Sequence, residues 1–237
     1  MRLFKVLLGI IALCLSVGTA HSQAYGVLRL ATQQLPPYQI LEGETLGGIA
    51  INRIMCVLDK IGMPYEIVVT GWSQAQLGTE MNDYDGFFVG SSNSARARYS
   101  VPSAPVVSDT LVWYMRRGTD VDPNNETDAL RARYSAKFAT TKWLSLKRNG
   151  YNVVKKPRDA GALLNMLLAG DIDVALEYEL IFEHFMEKRG ISSEGFTKIS
   201  NETKDLSVHF SKKFLKVNPL FLDRFNSELP SCKGETL

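Results

Sequence analysis

The spacing of apolar residues along the chain alternates between a strand-like and a helix-like period. In the first 90 residues it predicts, in order, a strand, a helix, a strand, a helix and a strand. Their expected positions are Tyr25–Thr32, the helix through Ile51–Leu58, Tyr65–Thr70, Ser73–Met81 and Asp85–Gly90. This β-α-β-α-β order is typical of an α/β fold with helices packed on a parallel-type sheet.

The same alternation returns in the second half of the chain. The predicted strands are Lys137–Thr140, Tyr151–Lys155 and Asp171–Leu176, and the predicted helices are Lys142–Asn149 and Asp159–Ala169. A loop rich in turn-forming residues, Gly118–Asp128, lies between the halves and has the composition of a linker. The tail predicts a strand at Leu206–Phe210 and a helix led by Pro219. We therefore expect two α/β lobes.

Residues 1–22 have the pattern of a secretory signal peptide. Arg2 and Lys5 give a positive start, and the apolar run Val6–Val17 is shorter than the roughly 20 residues that a membrane-spanning helix needs. Small residues at positions 20, 22 and 24 fit the small-x-small cleavage rule and place the expected cleavage between His21 and Tyr25. The pattern favours an exported protein, and we expect it in the periplasm or a similar extracytoplasmic space.

Removal of this segment changes the charge of the chain. The full sequence carries 27 Lys and Arg against 25 Asp and Glu, a net charge of +2. Arg2 and Lys5 leave with the segment and no acidic residue precedes Glu42, so the mature chain has no net charge. A nucleic-acid-binding surface needs a basic excess, and this class of partner is therefore excluded.

Two cysteines, Cys56 and Cys232, remain after Cys14 is removed with the signal segment. An even number in an oxidising compartment favours a disulfide between them. The alternative is a buried free Cys56 and a loose thiol in the tail. If the bridge forms, the tail lies on the first lobe, and the chain crosses between the lobes twice.

Enzyme signatures are missing from the sequence. It contains no GxSxG, HExxH, Walker or GxGxxG motif. The two histidines of the mature chain, His184 and His209, have no second ligand at metal-binding spacing. We therefore expect neither a metal nor a cofactor.

Residues suited to binding a small molecule follow three predicted strands. Gly90–Ser94, which includes Ser91 and Ser92, follows a buried strand and leads to Arg96, which can grip a carboxylate. Trp72 and Tyr38 follow two other strands and could stack on a ligand. Each residue alone is as readily explained by packing or capping. Their convergence at one edge of the sheet predicts a single small anionic or amphipathic ligand.

These segments resemble the bacterial extracellular solute-binding proteins of family 3, the periplasmic amino-acid-binding type. The resemblance extends over about Val27–Leu229. It includes LRLATQQLPPYQI, GGIAINRIMCVLDKIG, DYDGFFVG and LLNMLLAGDIDVALEYE. It also includes the Ser103-Ala104-Pro105 element seven residues after Arg96, at the spacing that follows the ligand-binding arginine of the family.

The resemblance implies a type II clam-shell of two α/β lobes with a ligand in the cleft. Lobe 1 would comprise residues 25–112 and 207–237, and lobe 2 residues 113–206. By position, Arg96 would hold a ligand carboxylate, Ser92 would be its hydroxyl partner, Trp72 would stack on the ligand, and Thr140 and Thr141 would bind from the second lobe. Tyr178 stands where the family has an acidic residue for the ligand ammonium, with Glu177 beside it.

The predicted function is capture of a small polar, carboxylate-bearing solute by a monomeric protein. An inner-membrane ABC permease or a sensor would be the protein partner. One alternative is an enzyme similar to the cyclohexadienyl dehydratases, with Glu177 as its acid or base. Another is a ligand-sensing module with no role in transport.

Overall fold

The computed structural model describes residues 26–233 of the chain. The predicted signal segment and its cleavage site lie outside the described residues. No helix within 26–233 is long and apolar enough to cross a membrane.

The first half of the chain has the predicted β-α-β-α-β order. In sequence its elements are β1 (Leu28–Thr32), β2 (Ile40–Glu42), β3 (Thr45–Gly47), α1 (Ile49–Lys60), β4 (Tyr65–Val69), α2 (Trp72–Met81), β5 (Gly86–Gly90) and β6 (Ser100–Pro102). A short 3-10 helix, Arg96–Arg98, joins β5 to β6. Strand β1 lies between β4 and β5 and pairs with both in parallel, as the alternation of elements predicts.

The second half departs from the sequence prediction in several places. Its elements are β7 (Val107–Arg116), α3 (Glu126–Arg131), β8 (Tyr134–Ser135), α4 (Thr141–Arg148), α5 (Ala160–Ala169), β9 (Val174–Tyr178), α6 (Glu179–Glu187), β10 (Phe196–Ser211), α7 (Lys212–Val217) and α8 (Phe221–Glu228). The predicted linker Gly118–Asp128 contains the start of α3, where the Asn125 side chain caps the helix.

Two predicted strands are wrong. Lys137–Thr140 is a turn, because Ala139 has a φ of 59°, which a strand does not allow, and Thr140 caps helix α4. The observed strand, β8 (Tyr134–Ser135), ends two residues before the start of the predicted one. Residues Tyr151–Lys155 contain only an isolated bridge, between Val153 and Tyr134.

One long strand connects the two halves of the sheet. The strand order is β4-β1-β5-β10-β7-β9-β8, with β6 also paired to β10. Residues Phe196–Leu206 of β10 pair with β7, and Ser207–Ser211 pair with β5 and β6. We call β1, β4, β5, β6 and the end of β10 the first half-sheet, and β7, β8, β9 and the start of β10 the second half-sheet.

The tail of the chain packs on the first half-sheet. Helix α1 buries Ile51, Ile54 and Leu58 at helical spacing. Cys56 on this helix forms a disulfide with Cys232, with a sulfur–sulfur distance of 2.05 Å. The predicted disulfide is therefore confirmed, and the tail returns to the part of the molecule where the chain began.

Candidate functional site

A small cavity lies where the two half-sheets face each other. We call it the central cavity. Its lining residues come from the ends of β1, β5 and β9, the start of α2, the turn before α4, the first turn of α4, and β10. They are Gln33, Leu35, Trp72, Val89, Ser91, Arg96, Lys137, Thr140, Thr141, Lys142, Tyr178 and Leu206. Loops at the carboxyl ends of parallel strands are where α/β proteins place their ligands.

Arg96 is the cation that the first half of the chain contributes to the cavity wall, and only 4% of its surface is exposed. Its Nε donates to Gln76 Oε1 at 3.0 Å, and its Nη1 donates to the Ser91 carbonyl. The guanidinium lies 5.1 Å from the centre of the Trp72 ring. Burial lowers the pKa of Arg96, because the charged form loses hydration.

Arg96 has no carboxylate within ion-pairing distance in the part of the chain that the structure describes. Its fork is held in place by neutral oxygens and aromatic rings. A guanidinium with this support is ready to bind a planar anion such as a carboxylate.

His209 packs against the strand end that positions Ser91 and Arg96. Its ring stacks on Phe87 with centroids 4.8 Å apart, and Nε2 lies 3.1 Å from the Gly90 carbonyl oxygen. Burial, and then the charge of Arg96, lower the pKa of His209 from 6.5 to about 4. His209 is therefore neutral at physiological pH and helps to fix the strand end that leads to Ser91.

The second half of the chain contributes a buried ion pair. Lys142 Nζ bonds Glu177 Oε1, and their side chains are only 6% and 0% exposed. Glu177 Oε1 also accepts from the Tyr178 backbone N–H, and the Lys142 ammonium lies 4.4 Å from the centre of the Tyr178 ring. Burial lowers the pKa of Lys142, and Glu177 partly opposes this effect. Lys142 lines the cavity, whereas Glu177 lies behind it.

Two hydrogen bonds join the halves across the cavity. The Ser91 and Thr141 hydroxyl oxygens are 3.3 Å apart, and Lys137 Nζ donates to Gln33 Oε1. Burial lowers the pKa of Lys137 as well. The cavity volume is about 40 Å³, well below the roughly 300 Å³ at which small-molecule pockets begin. In this conformation the Ser91–Thr141 and Gln33–Lys137 contacts hold the two halves of the chain together around the cavity.

A second, larger cavity adjoins the first and has a volume of about 350 Å³. It lies beside β7, β10 and α4, and Ser92 is on its wall. The two cavities share four lining residues: Ser91, Thr141, Lys142 and Tyr178. The hydrogen-bonded pair Ser91 and Thr141 therefore belongs to the walls of both cavities.

The structure brings most of the predicted site residues together. Six of them line the central cavity: Trp72, Ser91, Arg96, Thr140, Thr141 and Tyr178. Ser92 does not contact Arg96, because the Ser91 carbonyl and hydroxyl have that position. Glu177 is committed to Lys142.

Tyr38 lies in the core and not on the cavity wall. It is fully buried, and its hydroxyl donates to the carboxylate of Asp109 on β7. The same carboxylate accepts from the Leu180 backbone N–H at the start of α6. Tyr38 therefore joins three elements near the site and does not present its ring to a ligand there.

Sequence reasoning missed three polar residues of the cavity: Gln33, Lys137 and Lys142. The two lysines flank the threonines that the sequence had assigned to the site. Lys137 was missed because its segment was taken for a strand. Lys142 was missed because it was read only as the start of a helix.

No protein-family model matches the chain, and no curated protein matches it. Several solved structures are similar to it in fold. A histidine kinase sensor domain with similarity to periplasmic binding proteins has a TM-score of 0.75 and 16% identity, covering 87% of this chain and 90% of that one.

Two amino-acid-binding proteins are also similar. The arginine-, lysine- and histidine-binding protein ArtJ from Geobacillus stearothermophilus has a TM-score of 0.71 and 15% identity, covering 87% of this chain and 89% of its own. An ancestral arginine-binding protein bound to arginine has a TM-score of 0.72 and 16% identity, with 87% and 92% covered. The fold implied by the sequence resemblance is confirmed: the chain has the mixed α/β fold of the type II periplasmic binding proteins, similar to that of solute-binding proteins of family 3.

Proposed function

We propose that this chain is an extracytoplasmic binding protein that captures a small carboxylate-bearing solute between two lobes. Lobe 1 would comprise residues 25–112 and 207–237, and lobe 2 residues 113–206. Strands β7 and β10 would then be the two crossings between the lobes. The observation that carries the proposal is Arg96, a buried guanidinium on the wall of the central cavity that has no carboxylate partner among residues 26–233.

Binding would proceed by closure of the lobes around the ligand. Arg96 and Trp72 lie on the wall from lobe 1, and Thr140, Thr141 and Lys142 lie on the wall from lobe 2. A ligand that contacts both sets of residues stabilises the closed state over the open one. The first turn of α4 adds backbone N–H groups and the positive end of its dipole, which favour an anion.

Delivery of the solute to an ABC permease or presentation to a sensor would follow from closure. The structural neighbours include binding proteins and the domain of a sensor kinase, so both roles are compatible with the fold. The dehydratase alternative needs a free acid or base in the cleft, and Glu177 is instead bound to Lys142.

The test is a ligand screen on the purified mature protein, followed by calorimetry on the wild type and two arginine variants. Arg96→Met should weaken binding of the captured solute by about 2–5 kcal/mol, as expected when one member of a buried charge pair is removed. Arg98→Met is the matched control, because Arg98 is exposed and two positions away on the same turn. Equal losses in the two variants would contradict the proposal, since they would indicate a diffuse positive surface.

A further inference from the structure

The central cavity has an unusual charge balance. Its wall contains three cationic side chains, Arg96, Lys137 and Lys142, and no acidic side chain in the part of the molecule that is described. The remaining polar groups on the wall are the hydroxyls of Ser91, Thr140, Thr141 and Tyr178 and the amide of Gln33.

The nearby carboxylates are already bound to groups of the protein. Glu177 is paired with Lys142 and accepts from the Tyr178 backbone. Asp109 accepts from the Tyr38 hydroxyl and from the backbone N–H groups of Thr110 and Leu180.

Glu179 follows Tyr178 directly but bonds Lys198 on the surface at 3.4 Å. On the wall of the adjoining cavity, Glu202 is paired with Lys204 at 2.7 Å. Among the residues that the structure describes, a ligand ammonium in the central cavity would therefore meet three cations and no free carboxylate. Such a group would lose hydration without gaining a counter-ion.

Among residues 26–233, two of the three cations form no ion pair, although the charges of Glu177 and Asp159 act on Lys137 from farther away. Lys142 is neutralised by Glu177, whereas Arg96 and Lys137 bond only neutral oxygens, those of Gln76, Ser91 and Gln33. Arg96 is buried and Lys137 is half-buried, and a cation that loses hydration without gaining a counter-ion is costly. An anion that reaches both supplies the missing charge. One of them is on the first half of the chain and the other is on the second half.

We propose that the site takes a small dianion without an ammonium group, such as a short dicarboxylate, with one anionic end on Arg96 and the other on Lys137. This inference rests on the proposed function and specifies its ligand class. Unpaired cations attract the dianion, and the same cations reject a ligand that carries an ammonium, so selectivity comes from both effects.

The experiment compares glutarate with glutamate, which differ only by the α-ammonium group. Succinate, inorganic phosphate, arginine and lysine complete the set of ligands. Calorimetry at pH 7 on the mature protein should show glutarate or succinate binding at least about 100-fold more tightly than glutamate, as expected for the loss of about 2.7 kcal/mol. Tight binding of phosphate without binding of the dicarboxylates would support a dianion as the ligand and would indicate that this dianion is inorganic.

Lys137→Met should reduce the preference for glutarate over glutamate at least about tenfold, because Lys137 is the second-half cation on the cavity wall that has no ion pair among the described residues. Lys147→Met is the matched control, since Lys147 is an exposed residue of α4 and should leave the preference unchanged. Lys137 is used because Lys142→Met would disturb a buried ion pair as well as the ligand site.

Three results would overturn the inference. They are a preference for glutamate, arginine or lysine over glutarate, a preference that survives Lys137→Met unchanged, and failure of every dianion to bind at millimolar concentration. An amino acid whose binding depends on Arg96 would refute the dianion while leaving the proposed function intact. Binding of any ligand that is insensitive to Arg96→Met would refute the proposed function itself.

Discussion

The buried pair Lys142–Glu177 permits a quantitative test of how helix α4 is held against strand β9. Replacement of Lys142 by Met shortens the unbranched side chain by one atom and removes its charge. Within residues 26–233, Glu177 then remains fully buried, with Oε1 bonded only to the Tyr178 backbone and Oε2 without a hydrogen-bond partner. A carboxylate in this position has lost its hydration and its counter-ion together.

The expected loss can be estimated in two ways. Two unit charges about 4 Å apart attract by about 4 kcal/mol at an effective dielectric constant of about 20. Removal of one partner from a buried ion pair typically destabilises a protein by about 3–5 kcal/mol. We therefore expect Lys142→Met to lower the free energy of unfolding by about 3–5 kcal/mol at pH 7.

Urea denaturation of the wild type, Lys142→Met, Glu177→Gln and the double variant forms a double-mutant cycle. The double variant should be less destabilised than the sum of the two single variants, because neither half of the pair is left unpaired and charged. Glu177→Gln should cost less at pH 9 than at pH 7, since burial lowers the pKa of Lys142 and allows it to lose its proton. The matched control, Lys147→Met, should change stability by less than about 0.5 kcal/mol.

A loss below about 1 kcal/mol in Lys142→Met would refute the reasoning, because it would mean that the pair is hydrated in solution. Additive single and double effects would also refute it. Either result would indicate that water enters the region behind Tyr178 in the ligand-free protein.

Two further predictions concern the support of the site and the tail. The pKa of His209 is lowered from 6.5 to about 4 in the folded chain, so the stability that its neutral form contributes is present above about pH 6.5 and is lost as the pH falls toward 4. His209→Gln should therefore reduce the acid-induced loss of unfolding free energy between these limits by up to about 3 kcal/mol, measured by urea titration at each pH. His184→Gln should change it less because His184 is only partly buried, and an unchanged pH profile in His209→Gln would contradict the assignment. Replacement of Cys56 and Cys232 by Ala should lower the free energy of unfolding by up to about 5 kcal/mol in the chain-entropy model, since the bridge spans 176 residues. Thiol labelling of the denatured wild type should find neither cysteine free. Unchanged thermal stability of the variant would argue against this magnitude.

The sequence predicted the first half of the fold well because its elements are signalled locally. Helix α1 and strand β5 have clear apolar periods, and each lies within about two residues of its expected position. The start of β10 gave no such signal, since most of its residues from Thr197 to Asp205 are exposed and polar. Its strand conformation comes from pairing with β7, a contact that local sequence does not reveal.

Sequence reasoning identified the site residues that are recognisable from their position along the chain. It missed those whose role depends on a side-chain partner far away in the sequence. Trp72 and Arg96 follow from their places after predicted strands, whereas Thr141 follows from the family resemblance. The pairing of Lys142 with Glu177 depends on the distance between α4 and β9, which are 35 positions apart in the chain. The core position of Tyr38 likewise depends on Asp109, 71 positions away.

Strands β7 and β10 also set the kind of motion that is available between the two halves of the molecule. Between the half-sheets, Val107–Thr110 of β7 and Thr203–Leu206 of β10 form a two-stranded antiparallel stretch, and Asn201 just beyond it is left out of the ladder by a register shift between Ser200 and Glu202. A bulge of this type increases the local right-handed twist, and two-stranded ribbons twist more readily than wide sheets. We therefore expect the halves to separate by a rotation that twists this stretch, and not by a pure hinge opening.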